Sequence, residues 1–163
     1  MRLFFASWPP AGVAEALARW AGEVGKACGG RATRQELIHL TLAFLGDADP
    51  VAARNLARSA RCAVSSFALE RSRYWAHNRI VWVGPAQTPP ALARLARSLG
   101  EQREFRAHVT LIRDARRPRA LSPPPALEWP VTQFTLVNSV LGPEGPSYEV
   151  LERYGLEGAA PAR

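Results

Sequence analysis

Hydrophobic and polar residues along the chain follow two periods, one typical of strands and one typical of helices. Alternating or short apolar runs predict strands at 2–7, 39–44, 67–73, 79–83, 108–112, about 131–140 and 147–153. Apolar residues at helical spacing predict helices that begin at Pro9–Pro10, Asp49–Pro50 and Thr88–Pro90, the first two ending near Lys26 and Ala63. A short extended piece is predicted at 33–34, and the proline-rich segment 118–130 is predicted to be a loop.

The order of these elements is weakly repeated. Each half of the chain contains a strand, a helix and then a strand that carries a histidine. This order predicts an α+β protein with two similar lobes of antiparallel sheet, related by a pseudo-two-fold axis. We expect the helices to pack outside the sheets and a central groove to carry the two histidine-bearing strands. We expect one domain over residues 1–163, with the last ten or so residues disordered.

The two histidine-bearing strands share the pattern His-x-Thr-Leu, written HLTL at 39–42 and HVTL at 108–111. Successive side chains of a strand point to opposite faces, so the histidine and the threonine share a face, about 7 Å apart along the strand. His39 and Thr41 therefore face one way, as do His108 and Thr110. The opposite, packing faces are predicted to consist of Leu40, Leu42, Phe44, Val109 and Leu111.

Two imidazoles that face a common cleft can divide acid–base work between them. An unperturbed pKa near 6.5 makes both the neutral and the charged form accessible near neutrality, and each proton transfer is typically worth about 10²–10⁴ in rate. The threonine hydroxyls can donate hydrogen bonds to two oxygens of a bound anion, where one such donor is worth roughly 3 kcal/mol. This combination suits phosphodiester chemistry without a metal.

A metal site is the competing interpretation of the two histidines. It would need a third ligand, such as His77 or Asp114, together with a carboxylate that orients the ligands. The sequence contains no HExxH motif and no cluster of carboxylates. We therefore expect no metal and no cofactor.

The net charge of +7 favours a polyanionic partner. Only Lys26 among the 21 basic residues is a lysine, and arginine suits phosphate oxygens because its guanidinium is a planar fork of donors. The sequence has no run of 18 apolar residues that would cross a membrane, and its first ten residues do not resemble a signal peptide. We expect a cytoplasmic protein without a membrane partner, in which Cys28 and Cys62 are free thiols on helices.

The paired motifs resemble those of the two-histidine phosphoesterase superfamily, and within it the RNA 2′,3′-cyclic phosphodiesterases, also called 2′-5′ RNA ligases. The resemblance covers almost the whole chain. It is carried by RLFFAS at 2–7, HLTLAFLG at 39–46, HVTLIR at 108–113 and SVLGPEGPSYEVLERY at 139–154. The paired motifs with the FLG extension are the specific part, whereas the terminal segments are degenerate.

The resemblance implies two lobes whose motifs face each other across a central groove. It also implies hydrolysis of a 2′,3′-cyclic phosphate at an RNA end to a 2′-phosphate, with weak, reversible 2′-5′ joining of ends. By the same resemblance, His39 is the acid on the departing O3′, His108 is the base on water, and Thr41 and Thr110 hold the phosphate. The residue before the second histidine is often proline in the family. Here it is Ala107, which should loosen the local backbone.

Two further residues are candidates for substrate binding. Arg113 follows the second motif and could bind phosphate or pair with Asp114, and Tyr148 could stack on a base or pack in the core. The predicted partners are RNA ends or nucleotide cyclic phosphates, bound by a monomer. Two alternatives stay open: a phosphoesterase for a small cyclic phosphate such as ADP-ribose 1″,2″-cyclic phosphate, and a non-catalytic RNA-binding module.

Overall fold

The computed structural model describes residues 1–159, and these contain ten strands and three α-helices. The strands are β1 Arg2–Ser7, β2 Arg31–Ala32, β3 Leu40–Asp47, β4 Ser65–Ala68, β5 Arg71–Trp75, β6 Ile80–Gly84, β7 Val109–Arg113, β8 Glu128–Val131, β9 Gln133–Gly142 and β10 Gly145–Gly155. The helices are α1 Ala11–Cys28, α2 Pro50–Ser59 and α3 Pro90–Ser98, and a short 3-10 helix spans Gln35–Leu37.

Two four-stranded antiparallel sheets form the framework. Their strand orders are β10-β9-β1-β3 and β2-β7-β6-β5, and β4 pairs with β8 in a separate two-stranded ribbon. The first motif lies at the start of β3 and the second at the start of β7, so each sheet carries one motif. The predicted α+β class with antiparallel sheets is thereby confirmed.

A continuous apolar core joins the two sheets and the helices. Helix α1 contributes a stripe at helical spacing, formed by Val13, Leu17, Trp20 and Val24, and it packs against β2 and β7 of the second sheet. Helix α3 contributes Leu92 and Leu95 and packs against β3 of the first sheet. Helix α1 follows a strand of the first sheet but packs on the second, and α3 follows a strand of the second sheet but packs on the first. This exchange holds β3 and β7, the strands that carry the motifs, in fixed positions relative to each other.

The segment 67–73 is not one strand, contrary to the sequence prediction. It divides between β4, which pairs with β8, and β5, which pairs with β6. The chain passes from the ribbon to the second sheet at Leu69 and Glu70, whose N–H groups donate to the carbonyls of Leu127 and Gly84. An apolar pattern that continues across such a crossing does not reveal the change of sheet.

The predicted loop 118–130 and the predicted second helix were also wrong in part. Strand β8 includes Pro130, which pairs opposite Ser66, and a proline is tolerated there because the ribbon has only two strands. Helix α2 begins at Pro50 as predicted, and the Asp49 side chain accepts a hydrogen bond from the Val51 N–H, but the helix ends at Ser59. Cys62 consequently lies outside a helix. The short extended piece is β2 at Arg31–Ala32, two residues earlier than predicted.

The packing face of the first motif differs from the period-two prediction. Leu40 and Leu42 are buried, but Phe44 is 53% exposed and Ala43 is buried in its place. The cause is a β-bulge: Phe5 and Ala6 of β1 pair with Ala43 and Thr41, so Leu42 is an extra residue on β3. The bulge reverses the alternation after Leu42.

The C-terminal segment is packed as far as Leu156. Leu156 is buried, and the N–H groups of Leu156 and Glu157 donate to the carbonyls of Thr132 and Cys62. The expected disorder of the last ten residues thus does not extend to Leu156, and residues 160–163 lie outside the described range. No helix within residues 1–159 is long and apolar enough to cross a membrane.

Candidate active site

Each motif histidine is fixed by a backbone carbonyl two residues before it. The Nδ1 atoms of His39 and His108 each lie 2.7 Å from a carbonyl oxygen, that of Leu37 and that of Arg106 respectively. A carbonyl can only accept, so Nδ1 carries the proton in both rings. Nε2 is therefore the nitrogen that can exchange a proton with a substrate.

The His39 ring is additionally linked to the threonine of its own motif. His39 Nε2 lies 3.0 Å from Thr41 Oγ1, far closer than the rise of about 7 Å between the two residues along a strand, because the side chains converge. Since Nδ1 holds the proton, the Thr41 hydroxyl donates to Nε2 in the neutral ring. Within residues 1–159 there is no corresponding bond between His108 and Thr110, so the two halves of the site are not equivalent.

Aromatic rings surround both histidines. The His39 ring lies 5.2 Å from Phe4, 5.4 Å from Trp8 and 5.3 Å from Tyr148, centroid to centroid. The His108 ring lies 4.7 Å from Trp75 and 6.0 Å from Trp82. These contacts restrict the rotation of both imidazoles.

Burial makes both histidines neutral at pH 7. It lowers the pKa of His39 to about 4, against the opposing effect of the hydrogen bond to the Leu37 carbonyl, and the positive charge of Arg113 lowers it further. Burial also lowers the pKa of His108, again with a contribution from Arg113. Of these two histidines, His39 has the more strongly lowered pKa, so His108 is the one that takes up a proton first as the pH falls.

One cavity of about 230 Å³ contains all six residues that the sequence singled out. Its lining includes His39, Thr41, His108, Thr110, Arg113 and Tyr148, together with Arg31, Thr33, Arg34 and the hairpin residues Glu144–Pro146. The Thr33 hydroxyl donates to the Thr110 carbonyl over 3.1 Å and so ties β7 to the segment that leads to the first motif. The two motifs, 69 residues apart, thus meet in a single cleft.

Arg113 is available to an anion in this cavity. Asp114, its possible ion-pair partner, instead pairs with Arg31 at 2.7 Å and with Arg79 at 3.2 Å. Arg113 forms no ion pair with any residue in 1–159. It lines the same cavity as both histidines, and its charge lowers the pKa of each.

Tyr148 borders the cavity from β10. Its ring meets His39 edge-on and also lies 5.1 Å from Phe4, so it is partly buried against the histidine. Burial raises the pKa of its hydroxyl, which therefore stays protonated and able to donate. It combines packing with access to the cavity.

The residues that the metal interpretation required are not gathered here. His77 lies in the exposed β5–β6 turn and contacts Trp75, and Asp114 is held by its two arginines. Among residues 1–159, no three His, Cys, Asp or Glu side chains are grouped as metal ligands would be.

Ala107 tightens the backbone before the second histidine, rather than loosening it as the sequence led us to expect. Its N–H donates to the Thr88 hydroxyl over 2.9 Å, and its side chain is buried. A proline has no N–H and could not make this bond. The backbone before His108 is therefore tethered to Thr88, two residues before α3.

Apart from Tyr148, the aromatic residues around the histidines were not identified from the sequence. Trp8 lies just beyond β1, and its indole N–H donates to Thr135 Oγ1 over 2.8 Å. Trp75 lies at the end of β5. Its alternation with Arg71 and Arg73 places the three side chains on one face and was the feature of the sequence that could have identified it. Neither position stands out by hydrophobic period alone.

The chain is similar to known phosphoesterases over nearly its whole length. A family model described as LigT like Phosphoesterase matches residues 8–82. The RNA 2′,3′-cyclic phosphodiesterase of Escherichia coli is 34% identical, over 95% of this chain and 96% of its own length. The protein of the same name from Thermus thermophilus is 34% identical, over 97% of this chain and 91% of its own length.

Solved structures show the same fold. The crystal structure of E. coli LigT in apo form superposes with a TM-score of 0.87 at 34% identity, covering 95% of this chain and 96% of that one. The structure of E. coli LigT complexed with 3′-AMP also gives 0.87, at 32% identity and with 96% and 98% covered. Both motif histidines lie within the length that these matches span.

Proposed function

Because the chain belongs to the LigT-like phosphoesterase family, we propose that it hydrolyses the 2′,3′-cyclic phosphate at RNA ends to a 2′-phosphate. The observation that supports this most strongly is the cavity of about 230 Å³ that both motif histidines, both motif threonines and Arg113 line together. A single phosphate can contact a base, an acid and several donors there. The family resemblance inferred from the sequence is confirmed.

The reaction needs one neutral and one protonated imidazole. Water attacks the phosphorus as one imidazole accepts its proton, the bond from phosphorus to O3′ breaks, and the second imidazole gives its proton to O3′. The products are a 2′-phosphate and a free 3′-hydroxyl. The two histidines exchange protonation states during one turnover, and solvent restores them.

We assign the base to His39 and the acid to His108. The pKa of His39, lowered to about 4, keeps it neutral over a wide pH range. Burial lowers the pKa of His108 less than that of His39, so His108 is the histidine that carries the proton needed by the acid. The family resemblance implied the opposite allocation, and the difference is open to a direct test with an altered leaving group.

The negative charge on the phosphoryl oxygens would be met by Arg113 and the two threonine hydroxyls, the Thr41 hydroxyl turning its single proton from His39 Nε2 to the phosphate and so freeing that nitrogen to act as the base. A guanidinium can donate to two oxygens at once, and a donor aimed at developing charge contributes roughly 3 kcal/mol to a transition state. Bound phosphate would in turn raise the pKa of the nearby histidines, since an opposite charge favours their protonated form. Substrate binding thereby helps to load the acid. With the 5′-hydroxyl of a second RNA end in place of water as the nucleophile, the same base and acid would join the two ends through a 2′-5′ bond, and the reverse of that step would cleave the bond.

We further propose that one domain, spanning the chain, works as a cytoplasmic monomer. All the groups named above come from one chain, and a single apolar core joins both sheets. Cys28 and Cys62 are free thiols, which suits a reducing compartment.

The test is hydrolysis of a short oligoribonucleotide that ends in a 2′,3′-cyclic phosphate, in the presence of EDTA. We expect a 2′-phosphate as the product, identified by chromatography against both monophosphate standards. The same assay with ADP-ribose 1″,2″-cyclic phosphate separates the two enzymatic alternatives. Faster turnover of the small compound, or RNA binding without any turnover, would contradict the proposal.

A further inference from the structure

A second cavity, of about 680 Å³, lies on the other side of His108. Its lining is rich in arginine and aromatic residues: Arg71, Arg73, Arg97, Arg103, Arg106, Trp75, Trp82 and Phe105. The proposed reaction uses none of these side chains.

The floor of this second cavity is a continuation of the sheet face that bears the second motif. Arg71, Arg73 and Trp75 occupy alternate positions of β5 and so share one face. Trp82 of β6 pairs with Arg73 on one side and with Thr110 of β7 on the other, which puts all of them on that face. One sheet surface thus leads from the phosphate-binding threonine to the arginines.

His108 stands at the junction of the two cavities. Its ring lines the smaller cavity and packs against Trp75 and Trp82, which line the larger one. The carbonyl that fixes its Nδ1 belongs to Arg106, which also lines the larger cavity. A ligand in the larger cavity would therefore lie next to a phosphate bound in the smaller one.

The charge of the larger cavity is strongly positive and little compensated. Glu104 is the one acidic residue in its lining, and it pairs only with Arg106, at 3.9 Å, with both side chains mostly exposed. Arg71, Arg73, Arg97 and Arg103 form no ion pair with any residue in 1–159.

We propose that the larger cavity binds the single-stranded RNA on the 5′ side of the cyclic end. The inference rests on the proposed function, because it places the reacting end in the smaller cavity. Unpaired arginines that line a groove suit successive phosphates, and exposed parts of Trp75 and Phe105 offer faces on which unpaired bases stack. A duplex is excluded from such contacts because its bases are already stacked on one another.

Arg97 and Arg94 provide a matched test on one helix. Both are exposed arginines of α3, but only Arg97 lines the larger cavity. For Arg97→Ala we expect KM for an oligoribonucleotide with a cyclic end to rise about tenfold. For the double variant, Arg73→Ala with Arg97→Ala, we expect a larger rise. KM for a 2′,3′-cyclic mononucleotide, and kcat for both substrates, should stay unchanged. Arg94→Ala should behave as the unaltered protein does.

The salt dependence of binding gives a second readout. Each phosphate contact contributes about −0.7 to the slope of log affinity against log salt for a single strand, so the double variant should bind with a slope shallower by about one or more. Fluorescence anisotropy with an unreactive oligoribonucleotide that ends in a 3′-hydroxyl measures this without turnover. If the unaltered protein does not hydrolyse the cyclic end, the proposed function is overturned. The binding assay still tests the RNA-binding role of the larger cavity in that case, because it does not depend on turnover.

The inference is overturned if the double variant binds the oligoribonucleotide as tightly as Arg94→Ala. It is also overturned if KM rises equally for the cyclic mononucleotide, since that would place the arginines at the reacting phosphate.

Discussion

The Thr41 hydroxyl lies 3.0 Å from His39 Nε2, whereas Thr110 and His108, at the same positions of the second motif, share no such bond within the described chain. The repeated sequence motif therefore yields two chemically different half-sites. In one, the hydroxyl and the imidazole form a connected pair in a more buried position. In the other, the imidazole is linked only to the backbone and to tryptophan rings. This difference underlies the assignment of base and acid.

Removal of the motif hydroxyls should slow the chemical step. Thr41→Val and Thr110→Val keep the shape of the side chain and remove its donor, and we expect kcat to fall about 10²-fold in each. Thr41→Ser and Thr110→Ser retain the hydroxyl and should recover most of the rate. Single-turnover kinetics on a cyclic-ended oligoribonucleotide measures the effect, and an unchanged kcat in both valine variants would remove the threonines from the mechanism.

The pH dependence of kcat/KM should reflect two lowered histidine pKa values. The His39 base is lost as pH falls toward its pKa of about 4. The His108 acid is lost as pH rises past its own pKa, which burial holds below 6.5. We therefore expect kcat/KM to reach its maximum below pH 6.5 and to decline toward neutrality.

Arg113 allows this pH profile to be shifted. Its positive charge lowers the pKa of both histidines, so Arg113→Ala should move both limbs of the kcat/KM profile to higher pH, in addition to weakening phosphate binding. Arg113→Lys keeps the charge and should leave the limbs in place. A profile that does not move in the alanine variant would show that the guanidinium acts elsewhere.

The allocation of acid and base is tested by a substrate with sulfur in place of the leaving O3′. A thiolate leaves without prior protonation because its pKa is low, so the acid is no longer needed. We expect this substrate to restore most of the rate lost in His108→Ala but little of that lost in His39→Ala. Selective rescue of His39→Ala would instead support the allocation implied by the family resemblance.

Ala107→Pro should destabilise the protein. The change removes the N–H that donates to Thr88 Oγ1 over 2.9 Å and leaves that hydroxyl without its donor. We expect a loss of about 1 kcal/mol in the free energy of unfolding, measured by denaturant titration. Thr88→Ala should lower the free energy of unfolding by a similar amount, and Thr88→Ser should change it little. If Ala107→Pro and Thr88→Ala are both as stable as the unaltered protein, the hydrogen bond between Ala107 and Thr88 does not contribute to stability.

The sequence indicated the four motif residues that line the cavity because they repeat. Two scarce histidines in one four-residue pattern, each after a strand–helix unit, indicated paired half-sites, and both now line one cavity. The antiparallel α+β class followed from the same order of elements. Periodicity worked well where a face is wholly apolar, as in α1 and α3.

The details that the sequence did not reveal depend on contacts between distant segments. The bulge at Leu42 arises from pairing with β1, and it reverses the alternation that should have buried Phe44. The tether from Ala107 to Thr88 and the rings around His39 likewise join segments far apart in the chain. No local period encodes them.

The most direct test of the central claim compares three single histidine variants on one substrate. His39→Ala and His108→Ala each remove a group from the cavity, whereas His77→Ala alters the third histidine, in an exposed turn outside it. With a cyclic-ended oligoribonucleotide, we predict that turnover falls about 10²–10⁴-fold or more in each of the first two, with circular dichroism unchanged, and that His77→Ala keeps full activity. Full turnover in folded His39→Ala or His108→Ala would contradict the account.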